Sequence, residues 1–229
     1  MRIDDLYDEE RVKKLRAEKE RELQKRINET YLRYHKQQNG LKYSMIPEKY
    51  KKAEFSDLTI TKENQSMVEM VVRYVKNFDR MRKGICLMGS CGIGKTSLIA
   101  IACKKLIEEK DKKVYFATEQ TILEEVKKTF NNMTTDEVED VIRRICKNDI
   151  IVIDELGTTK GHWDLGVIKR IIDGVIDGNK RLFITTNYKK SELLQKWEQS
   201  ETNRTPKQIV DRMNEAMDLY EISNVKSFR

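Results

Sequence analysis

The sequence predicts an α/β fold of three layers, with a mainly parallel five-stranded sheet between two sets of helices. Three observations carry that prediction. From Gly84 onward, short apolar runs alternate with longer segments of helical periodicity. The run Ile150-Ile151-Val152-Ile153 is apolar without alternation, as expected of a strand covered on both faces. A glycine-rich stretch, Gly89 to Thr96, lies where one apolar run ends and a helical segment begins. Strands separated by helices pair in parallel, because the crossover returns the chain to the same end of the sheet.

The elements follow in order. Residues Leu6 to about Gln38 are dense in Glu, Lys and Arg, with a thin apolar stripe of Leu15, Leu23, Ile27 and Tyr31 at helical spacing. Such a helix buries little by itself. It either lies on a partner or stands as a solvated rod of paired charges. Asn39-Gly40 is predicted to break it. Residues 1–40 are therefore read as an appendage, 41–62 as a connector, and 63–229 as the main domain.

The connector carries Ile46-Pro47-Glu48-Lys49-Tyr50 and then Ala53 to Leu58. A helix is predicted from about Glu63 to Met81, with Met67, Met70, Val71, Tyr74, Val75 and Phe78 on one core-facing side. A strand over Gly84 to Met88 and a helix over Thr96 to Glu109 come next, then a strand over Val114 to Ala117. Helices follow at Ile122 to Phe130 and Thr135 to Cys146, then the strand Ile150 to Ile153 and a helix from Asp164 to Ile176. The strand Leu182 to Thr185 and a helix over Ser191 to Trp197 precede a last helix, which starts at Pro206 and runs to about Met217. Leu219 to Ile222 supplies the fifth strand, with no helical lid expected after it.

Composition bounds the class. The chain has 229 residues, 38% apolar and 36% charged, which suits one packed domain and an appendage. No apolar run is long enough to span a bilayer, and MRIDDLYDEE is not followed by a signal-peptide core, so a cytoplasmic protein is expected. A net charge of +7 and a pI near 9.1 are compatible with nucleic-acid binding without requiring it. Cys86, Cys91, Cys103 and Cys146 are scattered, and the histidines are His35 and His162, so no zinc site is expected. The cysteines read as reduced, mostly core residues.

The chemistry concentrates at Gly89-Ser90-Cys91-Gly92-Ile93-Gly94-Lys95-Thr96, a complete G-x-x-x-x-G-K-T phosphate loop between strand and helix. Its glycines let successive N–H groups point inward at phosphate oxygens, and the following helix adds its free N–H groups. Lys95 is expected to reach the β- and γ-phosphates of ATP, and Thr96 to ligate Mg²⁺. Ser97 fills the first helical turn and closes the cofactor-binding segment. Cys91 reads either as a redox switch or as a tolerated small side chain.

Asp154-Glu155 ends the apolar strand at its C-terminal edge, where open α/β sheets bind ligands. Asp154 is expected to hold Mg²⁺. Glu155 either orients the attacking water or stands as a surface acid, and Asp149 at the other end of the strand is read as structural. The strand Arg181 to Thr185 ends in Thr186-Asn187. Asn187, with Thr186 second, is either a residue that helps hold the lytic water or a turn former before Tyr188.

These residues together resemble the DnaC/DnaI/IstB group of AAA+ ATPases. The likeness runs through Ile46-Pro47, Tyr50, Phe55, GSCGIGKTS, IIVIDELG, TTNY with Leu193, and Ile209-Val210-Asp211-Arg212-Met213, from about Ile46 to Ser227-Phe228-Arg229. The resemblance implies an AAA+ P-loop NTPase that hydrolyses ATP under stimulation by partner or DNA. It implies a loader that places the hexameric replicative helicase on single-stranded DNA. The alternatives are an IstB-like transposition helper and an ATP-binding adaptor that scarcely hydrolyses. It further implies partner contact through residues 1–40, self-association through the ATP sites, and a trans-acting or sensor role for Arg212, which otherwise reads as a paired surface residue. Lys127, Lys128, Arg143, Arg144 and Lys147 form either a DNA-facing stripe or solvated helix faces. The chain departs from the group at Val175-Ile176 and Gln208, where many relatives carry arginine, and it lacks the zinc ligands that some loaders carry.

Overall fold

The structure, a computed structural model, describes residues 3–128, 135–159, 161–199 and 204–222. The chain divides into two compact units, Met1–Asn39 and Gly40–Arg229. Helix α1 (Ile3–Tyr43) makes up the described part of the first unit and ends inside the second. In the first unit its apolar stripe is exposed, and Arg26 pairs with Glu22 one turn away.

Asn39-Gly40 does not break the helix, contrary to the sequence expectation. The glycine answers a packing need instead. A Cβ at Gly40 would lie 2.8 Å from Ile107 Cγ2, and the next residue, Leu41, is buried. Tertiary contact overrides the weak local preference against glycine in a helix. The helix stops at Ser44, whose hydroxyl donates to the Leu41 carbonyl at 2.9 Å.

The connector holds α2 (Glu48–Lys51) and a single 3₁₀ turn at Phe55–Asp57. It then leads into α3 (Gln65–Lys76), shorter than predicted because Asn77 ends it and Phe78–Arg80 forms another 3₁₀ turn. The remaining elements are β1 (Gly84–Gly89), α4 (Lys95–Lys110), β2 (Val114–Thr118), α5 (Glu119–Lys127), α6 (Thr135–Cys146), β3 (Ile150–Leu156), α7 (His162–Asp177), β4 (Arg181–Thr186), α8 (Lys190–Glu198), α9 (Thr205–Ala216) and β5 (Met217–Ile222). Phe130, the predicted end of α5, lies outside the described residues. Met217, predicted to be helical, opens β5 instead, where it pairs with Gly84.

All strand pairings are parallel, in the order β2-β3-β4-β1-β5. Alternate residues of each strand enter opposite cores. Ile85, Leu87, Val152 and Phe183 pack with α3 and α4, while Cys86, Met88, Ile151, Ile153 and Ile184 pack with α5 to α9. Because both faces are covered, the central strands need no polar residue, which explains their unbroken apolar sequence. The outer edge of β2 is met by the connector, where the Phe116 N–H donates to the Ser44 carbonyl at 2.8 Å.

The connector is strapped to α4. Buried Lys104 donates to the Ala53 carbonyl at 3.1 Å and pairs with Glu54, which also binds Lys105 at 2.6 Å. These two ammonium groups hold the Glu54 carboxyl below its usual range. Asp149 is structural, as read: its carboxylate accepts the Lys113 N–H at 2.9 Å and faces Lys180. No described helix is long and apolar enough to cross a membrane.

Candidate functional site

The parallel order brings the C-terminal ends of β1, β4 and β3 side by side, and chain chemistry at such an edge points into one cleft. β1 enters the phosphate loop and α4 leaves it. Gly94 caps α4 with φ +91°, a left-handed conformation that a residue with a side chain adopts only under strain. The loop therefore turns sharply enough to leave the first N–H groups of α4 facing the cleft.

Lys95 is buried. Its ammonium donates to the Gly89 carbonyl at 2.7 Å, the Ser90 carbonyl at 2.8 Å and Asn187 Oδ1 at 2.9 Å. Burial lowers its pKa, opposed by the charges of Cys91, Asp154 and Glu155. The ammonium is folded onto loop carbonyls that are poor substitutes for phosphate oxygens, since charge-assisted contacts are stronger.

Thr96 Oγ1 donates to Asp154 Oδ1 at 2.9 Å, and Thr185 Oγ1 donates to the same oxygen at 2.5 Å. Asp154 is buried but for its edge on the cleft, and the two hydroxyls compensate the loss of water around its carboxylate. One hydroxyl and one carboxylate beside a phosphate loop fit Mg²⁺, which binds few protein ligands and takes phosphate oxygens and water for the rest. Among the described residues no three His, Cys, Asp or Glu side chains cluster.

Glu155 is exposed at the strand end with φ +58°, an outlier for a side chain of this size. Such geometry costs about 1–3 kcal/mol and persists where surrounding contacts over-determine it. Its N–H donates to Thr185 Oγ1 at 3.0 Å, and the β3–β4 register shifts between Ile153 and Leu156.

Asp154, Glu155, Lys95, Thr96, Thr185 and Asn187 line one cavity of about 510 Å³, together with Cys91, Gly92, Gly94 and Ser97. Gly89 and Ser90 contribute through the carbonyls that hold Lys95, and Ile93 turns its side chain into buried space. A smaller cavity of about 240 Å³ shares Gly92, Gly94 and Ser97 and continues under the connector, against Leu58, Met67 and Val68. Arg212 does not line either cavity. On α9 its Nε lies 3.1 Å from Asp173 and its Nη1 2.7 Å from Glu215.

Three residues of the basic stripe are ion-paired. Lys127 meets Asp164 at 2.8 Å, Arg143 meets Asp140 at 3.1 Å, and Arg144 meets Glu125. Of the cysteines, Cys86 and Cys103 are buried and Cys146 half-buried, while Cys91 is exposed at the loop.

Sequence reasoning placed Thr186 second at the β4 tip, but its hydroxyl is buried and donates to the Leu156 carbonyl at 2.7 Å. Thr185 is the residue that reaches Asp154. Tyr50 and Thr118 were also missed: both line the larger cavity, and Tyr50 Oη lies 3.3 Å from Ser97 Oγ. The Ile46-Pro47…Tyr50 pattern was the available signal, read as a connector and as part of the family likeness but not as a lining of the site.

A phosphate loop, a buried acid beside a Thr hydroxyl, an acid at the strand end and an Asn-tipped strand between them define a P-loop nucleotide site of AAA+ type. The bacterial DnaA ATPase-domain family matches residues 49–207, well over half of the chain. The chain belongs to that family and is a DnaC/DnaI-like AAA+ protein. It is 28% identical over 158 residues to the replicative helicase loader DnaC of Escherichia coli K12, covering 69% of this chain and 60% of that protein. The chain thus spans about three fifths of that relative's length. Among solved structures, DnaI aligns with a TM-score of 0.64 and 22% identity over 78% of this chain and 95% of its own. The replication initiator DnaA bound to AMPPCP and single-stranded DNA aligns with a TM-score of 0.63 and 15% identity, over 79% and 52%. These two show a shared fold.

Proposed function

We propose that this protein is an ATP-driven loader of the replicative DNA helicase onto single-stranded DNA. The observation that carries the ATPase part is the single cleft that unites Lys95, Thr96, Asp154, Glu155 and Asn187. The loader part is supported by the likeness to DnaC over most of the chain.

ATP would lie with its phosphates along Gly89 to Ser97 and its base in the smaller cavity under the connector. Lys95 exchanges its loop carbonyls for phosphate oxygens and releases the Asn187 carboxamide. Thr96 and Asp154 would hold Mg²⁺, which would supply charge neutralisation at the phosphates when bound. Glu155 accepts a hydrogen bond from the attacking water and orients it in line, and the freed Asn187 holds that water from the β4 side. Arg212 serves a neighbouring subunit's site, with its ion pairs to Asp173 and Glu215 exchanged on assembly.

The exposed stripe of Leu15, Leu23, Ile27 and Tyr31 is the contact for the helicase. ATP binding favours the assembly that grips DNA, and hydrolysis releases it. A tagged full chain, incubated with ATP in host extract, tests the reading. Recovery of the replicative helicase by the wild type, with altered recovery by Lys95→Ala, is expected. Recovery of a transposase in its place, or of no replication protein, would overturn the loader assignment.

A further inference from the structure

Glu119 is the first residue of α5 and is fully buried, far from the phosphate loop in sequence. Its Oε2 receives the N–H groups of Gly157 at 3.0 Å, Thr158 at 2.6 Å and Thr159 at 3.1 Å, and the Thr158 hydroxyl at 2.5 Å. Three successive N–H groups wrapped round one oxygen form a nest. Gly157 permits it, with φ +101° and no room for a side chain: a Cβ there would lie 2.4 Å from Leu193 Cδ2. The loop is also held from the opposite side. Lys196 of α8 donates to the Gly157 carbonyl and, at 2.8 Å, to the hydroxyl of Tyr188, the residue after Asn187. One residue earlier, the Leu156 carbonyl takes the Thr186 hydroxyl.

The segment so clamped begins two residues after Glu155, whose own left-handed backbone needs an external constraint. A buried carboxylate is costly, and Oε1 of Glu119 has no hydrogen-bond partner. Helix capping alone does not require that cost, since Thr118 already caps α5 through the Thr121 N–H. We infer that Glu119 is a positioning residue for hydrolysis: by fixing the loop Gly157–Thr159, it holds Glu155 in the backbone geometry that aims its carboxylate at the attacking water. The inference rests on the reading of Glu155 as the water-orienting residue. It also links β2 and α5 to the nucleotide site, so a partner that shifts α5 alters turnover without touching ATP.

The test measures steady-state ATP turnover and MgATP binding of the full chain. Glu155→Gln is read first. A turnover within about twofold of wild type removes the water-orienting reading itself. With that reading upheld, Glu119→Ala is expected to lower kcat by about tenfold or more and to leave nucleotide affinity within about twofold. Glu119→Gln keeps one acceptor oxygen and restores kcat to within about threefold of wild type. In the Glu155→Gln background Glu119→Ala adds less than about a twofold loss, because the two residues act as one unit. Should Glu119→Ala fail to fold, Thr158→Val removes one of the four donors and is expected to lower kcat by about threefold at unchanged affinity. Wild-type kcat in Glu119→Ala or Thr158→Val, a loss that appears in nucleotide affinity, or a full multiplicative loss in the Glu155→Gln background would overturn the inference.

Discussion

Leu15, Leu23, Ile27 and Tyr31 of the first unit each keep more than half of their surface in water, whereas Ile151, Ile171 and Phe183 of the second keep none. The contrast separates two uses of apolar sequence. In the second unit the apolar residues of the central strands are buried under helices on both faces, and the acids stand at the strand ends. In the first unit one helix presents an exposed stripe, beside which Arg26 pairs with Glu22 and His35 lies against Tyr31. Helix formation alone does not account for that stripe, which we propose contacts a partner, whereas the apolar sequence of the second unit is accounted for by its own core.

The largest effect expected from this contrast concerns turnover. Lys95→Ala should reduce ATP hydrolysis by about a hundredfold or more, since on the proposed reading the ammonium would face the developing phosphate charge. Removal of residues 1–39 should leave turnover per site within about twofold, because the second unit holds the whole cleft. A steady-state phosphate-release assay on both variants checks the pair. Strong loss in the truncation would break the separation.

Stability should divide the same way. Trp197 is fully buried, and Trp197→Ala should cost about 3–5 kcal/mol in urea unfolding. Leu23→Ala, on the exposed stripe, should change the transition by less than about 0.5 kcal/mol. Equal losses would mean that the stripe is covered within the chain.

Within the second unit, Thr185→Val removes a hydroxyl from Asp154. The Mg²⁺ concentration giving half-maximal turnover should rise about tenfold, as for other residues that orient a metal ligand. Thr186→Val, whose hydroxyl serves the Leu156 carbonyl, should leave that concentration unchanged and lower stability by about 1 kcal/mol.

The smallest effect separates the cysteines. Burial pushes the Cys86 thiol up to about 12 and the Cys146 thiol up to about 11, and raises that of Cys103 as well. Cys91 alone among them is exposed. Native protein should show one fast thiol toward a disulfide reagent, lost in Cys91→Ser and slowed by MgATP.

The sheet was legible because parallel, doubly covered strands write themselves as apolar runs and because the phosphate loop fixes a strand before it and a helix after it. Asp154 and Glu155 were legible from their place at a strand end. Gly40 misled because a glycine needed for closeness to Ile107 reads the same as a glycine needed for a turn. Thr185 and Thr186 are adjacent and chemically alike, and only the β3–β4 register, with Ile153 beside Ile184, sets Thr185 rather than Thr186 opposite Asp154. Glu119 left no signal, since its partners, three backbone N–H groups and the Thr158 hydroxyl, lie some forty residues away.

On the proposed function, ATP at this site governs delivery of a helicase to DNA. The direct test mixes the full chain with the purified hexameric helicase and circular single-stranded DNA, and measures helicase retained on the circle. With wild type and ATP the helicase should accumulate on the DNA, with Lys95→Ala it should not, and with Glu155→Gln it should arrive but stay bound to the loader. Helicase that reaches the circle equally well without the chain, or with Lys95→Ala, would rule out ATP-governed delivery by this protein.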